Sequence, residues 1–222
     1  MVDQEKKHSR GNVVPVNRLL IALLVGVCGL SGYLYSATLM SPLEAFAAIT
    51  GALGIGLAVK ESIWNWPISI VSSVAYWYVL EDAKLFADAQ LQIVFVVFGF
   101  AGWYWWLKGD KGTAIQINRA SKLELAVVFS CGVLVSYLIW HALISRPGTV
   151  PIWDATTTAF SLVALYFVIR KYIENWYVWI VVNIIYVPLY VYKHLPGTAA
   201  LYFVLLVMAF AGLFEWRKLA TT

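Results

Sequence analysis

Long apolar runs follow one another along this chain, with only short polar breaks between them. A helix that crosses a bilayer needs roughly 20 predominantly apolar residues. Eight windows approach that length: Leu19–Met40, Pro42–Val59, Trp64–Leu80, Phe86–Leu107, Leu123–Ile144, Ile152–Ile169, Trp176–Tyr192 and Gly197–Glu215. The third and seventh are short and rich in Trp and Tyr. The longest connection, Lys108–Lys122, has about 15 polar-leaning residues, too few for a soluble catalytic domain. The pattern predicts an all-α membrane protein with eight transmembrane helices. The first window has a basic flank (Lys6, Lys7, Arg10, Arg18), as a signal peptide would. Its apolar core of about 22 residues exceeds the usual h-region of 7–15, so it reads as a retained anchor. A helix lying in the membrane interface is the alternative.

Composition agrees with this class. Of 222 residues, 61% are hydrophobic and 13% charged. A soluble domain of this length could not hide so much apolar surface in one core. Charge placement then orients the chain, because cytoplasmic loops carry the Lys and Arg excess. With eight spans, one side collects 13 of the 16 basic residues, and only Lys84, Arg146 and Lys193 fall on the other. Both termini are therefore expected in the cytoplasm, with the protein multi-pass in the cell (inner) membrane. The net charge of +4 is explained by topology and implies no nucleic-acid partner.

The apolar pattern also repeats. Shifting the chain by 110 residues lays Asn65-Trp66 on Asn175-Trp176, Tyr76 on Tyr186, Phe100-Ala101-Gly102 on Phe210-Ala211-Gly212, and Trp106 on Trp216. About 15 of 47 positions from Lys60 to Trp106 are identical without a gap. The offset spans four helices, an even number, so both copies run the same way across the membrane. Parallel repeats of this kind build transporters whose substrate site lies between the halves. The expected organisation is a tail and extra span (1–40), a first three-helix repeat (41–108), a loop and linker helix (109–150), a second three-helix repeat (151–218) and a short tail (219–222). This is a 3+1+3 plan with a peripheral first span. Gly51, Gly54 and Gly56 in the second span, and Gly99 and Gly102 in the fourth, would let helix backbones approach closely.

The residues that carry chemistry are few. Cys28 and Cys131 have no CxxC spacing and read as small buried hydrophobes. His8, His141 and His194 are scattered without ligand partners at helical spacing, so no metal and no cofactor are expected. No nucleophile motif, phosphate loop or acidic pair at helical spacing appears, which argues against an enzyme. A ligand face is more legible. Trp66, Ser69, Ser73 and Tyr76 follow 3-4-3 spacing and share one side of the third span. Trp176, Trp179, Asn183 and Tyr186 do the same in the seventh. Asp88 and Gln92 stack one turn apart in the fourth span, with Thr198 and Tyr202 as counterparts. Polar groups within spans usually face a cavity or the protein interior. Aromatic planes beside hydrogen-bonding groups suit a flat heteroaromatic ring carrying a polar sugar.

Competing roles apply to several of these. Trp64, Trp103, Trp105, Trp106 and Trp216 lie near span ends, where indoles form interfacial belts. Trp176 fits belt and site equally. Asn65 and Asn175 sit where a helix begins and could cap it. Glu44 and Asp154, also 110 apart, begin the first helix of each repeat. There a carboxylate favours the helix dipole or forms an acidic mouth for a cationic solute.

Two stretches carry a family resemblance: IWNWPISIVSSVAYWYVLEDAKLFADAQLQIVFVVFGFAGWYWW and ENWYVWIVVNIIYVPLYVYKHLPGTAALYFVLLVMAFAGLFEWRK. With the WNWP segment and the WxxxN ending of ENWYVWIVVN, they resemble the Pnu-type vitamin transporters, in the nicotinamide riboside branch. The resemblance covers roughly residues 42–218. It implies paired three-helix bundles joined by a linker helix, as in SWEET sugar transporters. It also implies nicotinamide riboside as substrate, facilitated diffusion, and uptake drawn forward by a cytoplasmic riboside kinase. Thiamine and riboflavin carriers share the scaffold, and the residues themselves do not separate these substrates. A membrane sensor that binds without transporting stays open, as does association of copies into a homo-oligomer.

Overall fold

The computed structural model describes residues 16–82, 86–109, 116–144, 151–192 and 196–220, apart from the side chains of 86–88 and 196–197. These residues form eight helices: α1 (Val16–Ser36), α2 (Pro42–Val59), α3 (Asn65–Asp82), α4 (Phe86–Lys108), α5 (Lys122–Leu143), α6 (Pro151–Ile169), α7 (Glu174–Tyr192) and α8 (Pro196–Leu219). Each corresponds to one apolar window of the sequence. The largest departures are at the outer ends. α1 stops at Ser36, whose Oγ donates to the Tyr33 carbonyl at 2.7 Å, and Thr38 then turns left-handed. α8 runs four residues past Glu215.

Local chemistry explains several helix starts. Ser41-Pro-Leu-Glu44 and Ser121-Lys-Leu-Glu124 both have the S-x-x-E spacing of a capping box. Ser41 Oγ accepts the Glu44 N–H at 3.1 Å, and Ser121 Oγ accepts the Glu124 N–H at 3.2 Å. Proline opens α2 and α6, where its missing N–H costs nothing.

Seven of the eight helices are long and apolar enough to cross a membrane, and α3 is the exception. Its neighbours decide its path. The C-termini of α2 and α8 meet through Lys60 and Glu215, and those of α4 and α6 through Trp106 and Ile169. The start of α5 touches the start of α7 through Ala120 and Glu174. All these ends gather at one end of the molecule, called here the basic end. Since α2 and α4 both finish there, α3 must carry the chain to the opposite end.

Packing follows the repeat. α3 lies against α2 and α4, and α7 lies against α6 and α8. The two sets join where α2 meets α8 and where α4 meets α6. The six helices thus close a ring in which α3 and α7 stand on opposite sides. α1 packs outside the ring on α2 and α8, and α5 packs on α6. The outer faces of α1 and α5 expose Ile21, Val25, Val133, Leu134 and Leu138, as a lipid-facing surface would. Cys28 and Cys131 are also on exposed faces, not buried as expected. A small apolar thiol meets no penalty in hydrocarbon, so burial in protein is not required of it.

Glycines set the closest approaches. A Cβ on Gly212 would lie 2.6 Å from the Trp176 ring, and one on Gly99 would lie 2.7 Å from Ile70. Gly102 abuts Trp66 in the same way.

Candidate functional site

Three predicted site residues, Trp66, Ser69 and Trp176, are held in helix–helix contacts. Trp66 packs edge-on against Trp106 at 5.3 Å, and Trp176 packs edge-on against Trp216 at 5.4 Å. These are equivalent pairs, one per repeat, and all four indoles are buried. Trp106 and Trp216 are therefore not belt residues. Trp106 Nε1 donates to the Ile169 carbonyl at 3.1 Å, and Trp216 Nε1 donates to the Ala58 carbonyl at 3.2 Å. Both bonds cross from one repeat to the other. The first reaches a carbonyl in the last turn of α6, and the second adds to the Ala58 carbonyl, which also accepts the Glu61 N–H at 3.0 Å. Trp64, by contrast, is 64% exposed, as a belt residue should be. Ser69 lies against Gly54, so its hydroxyl points toward α2. Asn183, on α7, returns its amide N–H to the Trp179 carbonyl at 2.8 Å.

The two junction asparagines are not N-caps. Asn65 Nδ2 donates to the Ser62 carbonyl at 2.7 Å, and Asn175 Nδ2 donates to the Tyr172 carbonyl at 2.6 Å. Each therefore ties down the turn before its helix, whereas an N-cap would accept from the first helical N–H groups. Trp66 Nε1, Trp176 Nε1 and Asn175 Oδ1 are buried without a hydrogen-bond partner.

The remaining candidates sit further along α3 and α7 and on α4 and α8. Ser73 and Asn183 are buried, and Tyr76, Gln92 and Trp179 are half-buried. Trp179 touches both hydrophobic clusters of the molecule. Tyr186 and Tyr202 approach to 4.5 Å between ring centroids. Tyr190 completes a trio, nearly parallel to Tyr186 at 5.5 Å and to Tyr202 at 4.9 Å. Tyr76, from the first repeat, lies within electrostatic range of Tyr202 in the second. Glu44, in the first turn of α2, lies within the same range of Tyr76. Asp88 is on α4, but its side chain lies outside the described residues. Tyr190 was not singled out from the sequence, although it follows Tyr186 by one helical turn.

Chemically this level of the ring offers aromatic planes, hydroxyls and amides. No Lys or Arg is among these residues. The described residues contain no group of three or more His, Cys, Asp or Glu suited to a metal. An apolar groove of about 420 Å³ lies elsewhere, lined by Trp153, Ile184, Pro188 and Tyr192. Its lining is predominantly apolar and offers few groups to orient a sugar.

Comparison with known proteins fits this architecture. Residues 41–218 match the family model described as "Nicotinamide mononucleotide transporter". The nicotinamide riboside transporter PnuC of Escherichia coli strain K12 is 25% identical over 228 residues, covering 90% of this chain and 92% of that protein. PnuC of Neisseria mucosa is 31% identical over 160 residues, covering 67% and 59%. The riboflavin/roseoflavin transporter RibM of Streptomyces davaonensis is 22% identical over 175 residues, covering 76% and 81%. A crystal structure of the vitamin B3 transporter PnuC superposes with a TM-score of 0.75 at 24% identity, covering 91% and 92%, and so shares the fold. With most of its length matched by one model of membrane carriers, the chain belongs to the nicotinamide mononucleotide transporter family, a family of small-molecule transporters and not of enzymes.

Proposed function

We propose that this chain carries nicotinamide riboside across the cell (inner) membrane by facilitated diffusion. Its matched relatives in Escherichia coli and Neisseria mucosa are named for that substrate. The observation that carries the reading is the six-helix ring with α3 and α7 on opposite sides. Residues 41–108 and 151–218 would be the two halves that rock about a central site, with α5 as linker. Both termini would be cytoplasmic. A cytoplasmic riboside kinase would remove the carried substrate and so draw uptake forward.

The proposed site is centred on Trp179 and Asn183 on one side, with Ser73, Tyr76 and Gln92 opposite and Tyr186 and Tyr202 completing it. Asp88 belongs to the same proposal on sequence grounds. Trp66, Trp176 and Ser69 would support it from the helix contacts described above. The pyridinium ring would stack on the indole, whose face attracts cations. The amides and hydroxyls would bond the carboxamide and ribose.

The family description names the mononucleotide, whereas the relatives in Escherichia coli and Neisseria mucosa are named for the riboside. A site without Lys or Arg favours the riboside, because an added phosphate would be buried without a cationic partner. The match to a riboflavin carrier supports a second reading, with the flavin as substrate. Calorimetry on purified protein separates them. Nicotinamide riboside is expected to bind, with its mononucleotide at least about tenfold weaker and riboflavin weaker still. Equal binding of the mononucleotide, or tighter binding of riboflavin, would overturn the proposal. In liposomes, equilibration without a sodium or proton gradient is expected.

A further inference from the structure

The basic end holds contacts that a central site does not require. Glu61 and Lys171 occupy the same position in the two repeats, and both are left-handed, with φ of 56° and 54°. Lys171 Nζ lies 2.7 Å from Glu61 Oε1. A contact between a position and its own equivalent lies on the pseudo-two-fold axis. That axis relates the two halves proposed to rock. Lys171 is only 8% exposed, and its ammonium sits 4.4 Å from the centre of the Trp106 ring.

One residue earlier, Lys60 and Arg170 are also equivalents. Each reaches the last helix of the opposite repeat. Lys60 Nζ lies 2.7 Å from Glu215 Oε1, and the Arg170 guanidinium lies 5.6 Å over the Trp105 ring. Glu215 and Trp105 are themselves 110 apart in sequence. The same geometry is thus made twice, once with a carboxylate and once with an aromatic face.

Partly buried charges are stable while paired and costly once separated. An end closed by such a pair has two discrete states, not a graded opening. We propose that the Glu61–Lys171 pair is the latch that closes the basic end of the transport path, guarded on either side by Lys60–Glu215 and Arg170–Trp105. This deepens the alternating-access reading above and rests on it. The arrangement described here is the state shut at the basic end. Weakening the pair shifts the population toward the state open there.

Cysteine accessibility tests the latch without any substrate. Cys28 and Cys131 are replaced by Ser, and Ser73→Cys supplies one thiol along the path. A small membrane-impermeant methanethiosulfonate is added to right-side-out and to inverted membrane vesicles. Glu61→Lys and Lys171→Glu should each raise the modification rate about tenfold or more, from one membrane face only. The double exchange Glu61→Lys/Lys171→Glu should return it to within about twofold of the parent. Should the reversals not yield folded protein, Glu61→Gln and Lys171→Gln carry the test, with a rise of about threefold expected. Unchanged rates in the single variants, a rise from both faces, or no recovery in the exchange would overturn the proposal. Failure to bind nicotinamide riboside would count against the substrate alone and leave this result standing.

Discussion

Trp66 against Trp106 and Trp176 against Trp216 are one arrangement built twice, with separations of 5.3 and 5.4 Å and rings at 90° and 89°. Two turns along α3 and α7, and about four turns back along α4 and α8, the copies part company. Ser73 corresponds to Asn183, and Gln92 corresponds to Tyr202. The stacked trio of Tyr186, Tyr190 and Tyr202 has only Tyr76 as its first-repeat equivalent, since Leu80 and Gln92 fill the other two places. In these indole pairs the side chains hold helices together, and the same task in each half keeps the same residues. Further from the basic end they differ, as a ligand without two-fold symmetry would demand at the proposed site.

Substitutions can break this contrast between a symmetric brace and an asymmetric site. The largest effect is expected at Trp216, which has no exposed surface. Trp216→Ala should cost about 3–5 kcal/mol of stability, seen in thermal unfolding in detergent. Gly212→Ala forces a methyl to within 2.6 Å of the Trp176 ring and should cost about 1–3 kcal/mol in the same assay.

The site should respond in binding and not in stability. Asn183→Leu and Gln92→Leu should each weaken nicotinamide riboside binding about 5- to 150-fold in calorimetry, with the unfolding temperature held. A brace variant that folds normally but loses binding, beside site variants that keep it, would reverse the assignment. A smaller loss is expected from Trp106→Phe, which removes the bond to the Ile169 carbonyl and should cost about 1 kcal/mol. Trp64→Ala, at an exposed position, should change stability by less than about 0.5 kcal/mol.

The helices themselves were largely legible, because hydrocarbon imposes one simple demand on length and polarity. Pro42–Val59 was bounded to the residue. Even α3, the most polar helix, follows from its short Trp- and Tyr-rich window, Trp64–Leu80. The fate of the end tryptophans was not legible in this way. An indole near a helix end has the same pattern whether it faces headgroups or the other repeat. A signal for Trp106 and Trp216 lay one turn before each, where Gly102 and Gly212 open room for the packed indoles. The roles of Glu61 and Lys171 were hidden for a different reason. They stand in a polar break, where charge reads as topology, and only the fold brings the two breaks together. Among the site residues, spacing grouped Ser69 with Ser73 and Tyr76. The approach of Gly54 in α2 then separates Ser69 from them, a detail set by the neighbouring helix.

The ion pair on the axis also bears on how such a chain could arise from a single repeat. Joining two copies of the first half would set Glu61 against another Glu61, and two copies of the second would set Lys171 against another Lys171. Like charges held that close repel. Neither present-day half could therefore serve as its own partner, while each remains complementary to the other. Split between the halves and expressed as two polypeptides, the molecule should reassemble only as a mixed pair. At this one position the two halves are matched to each other by opposite charge.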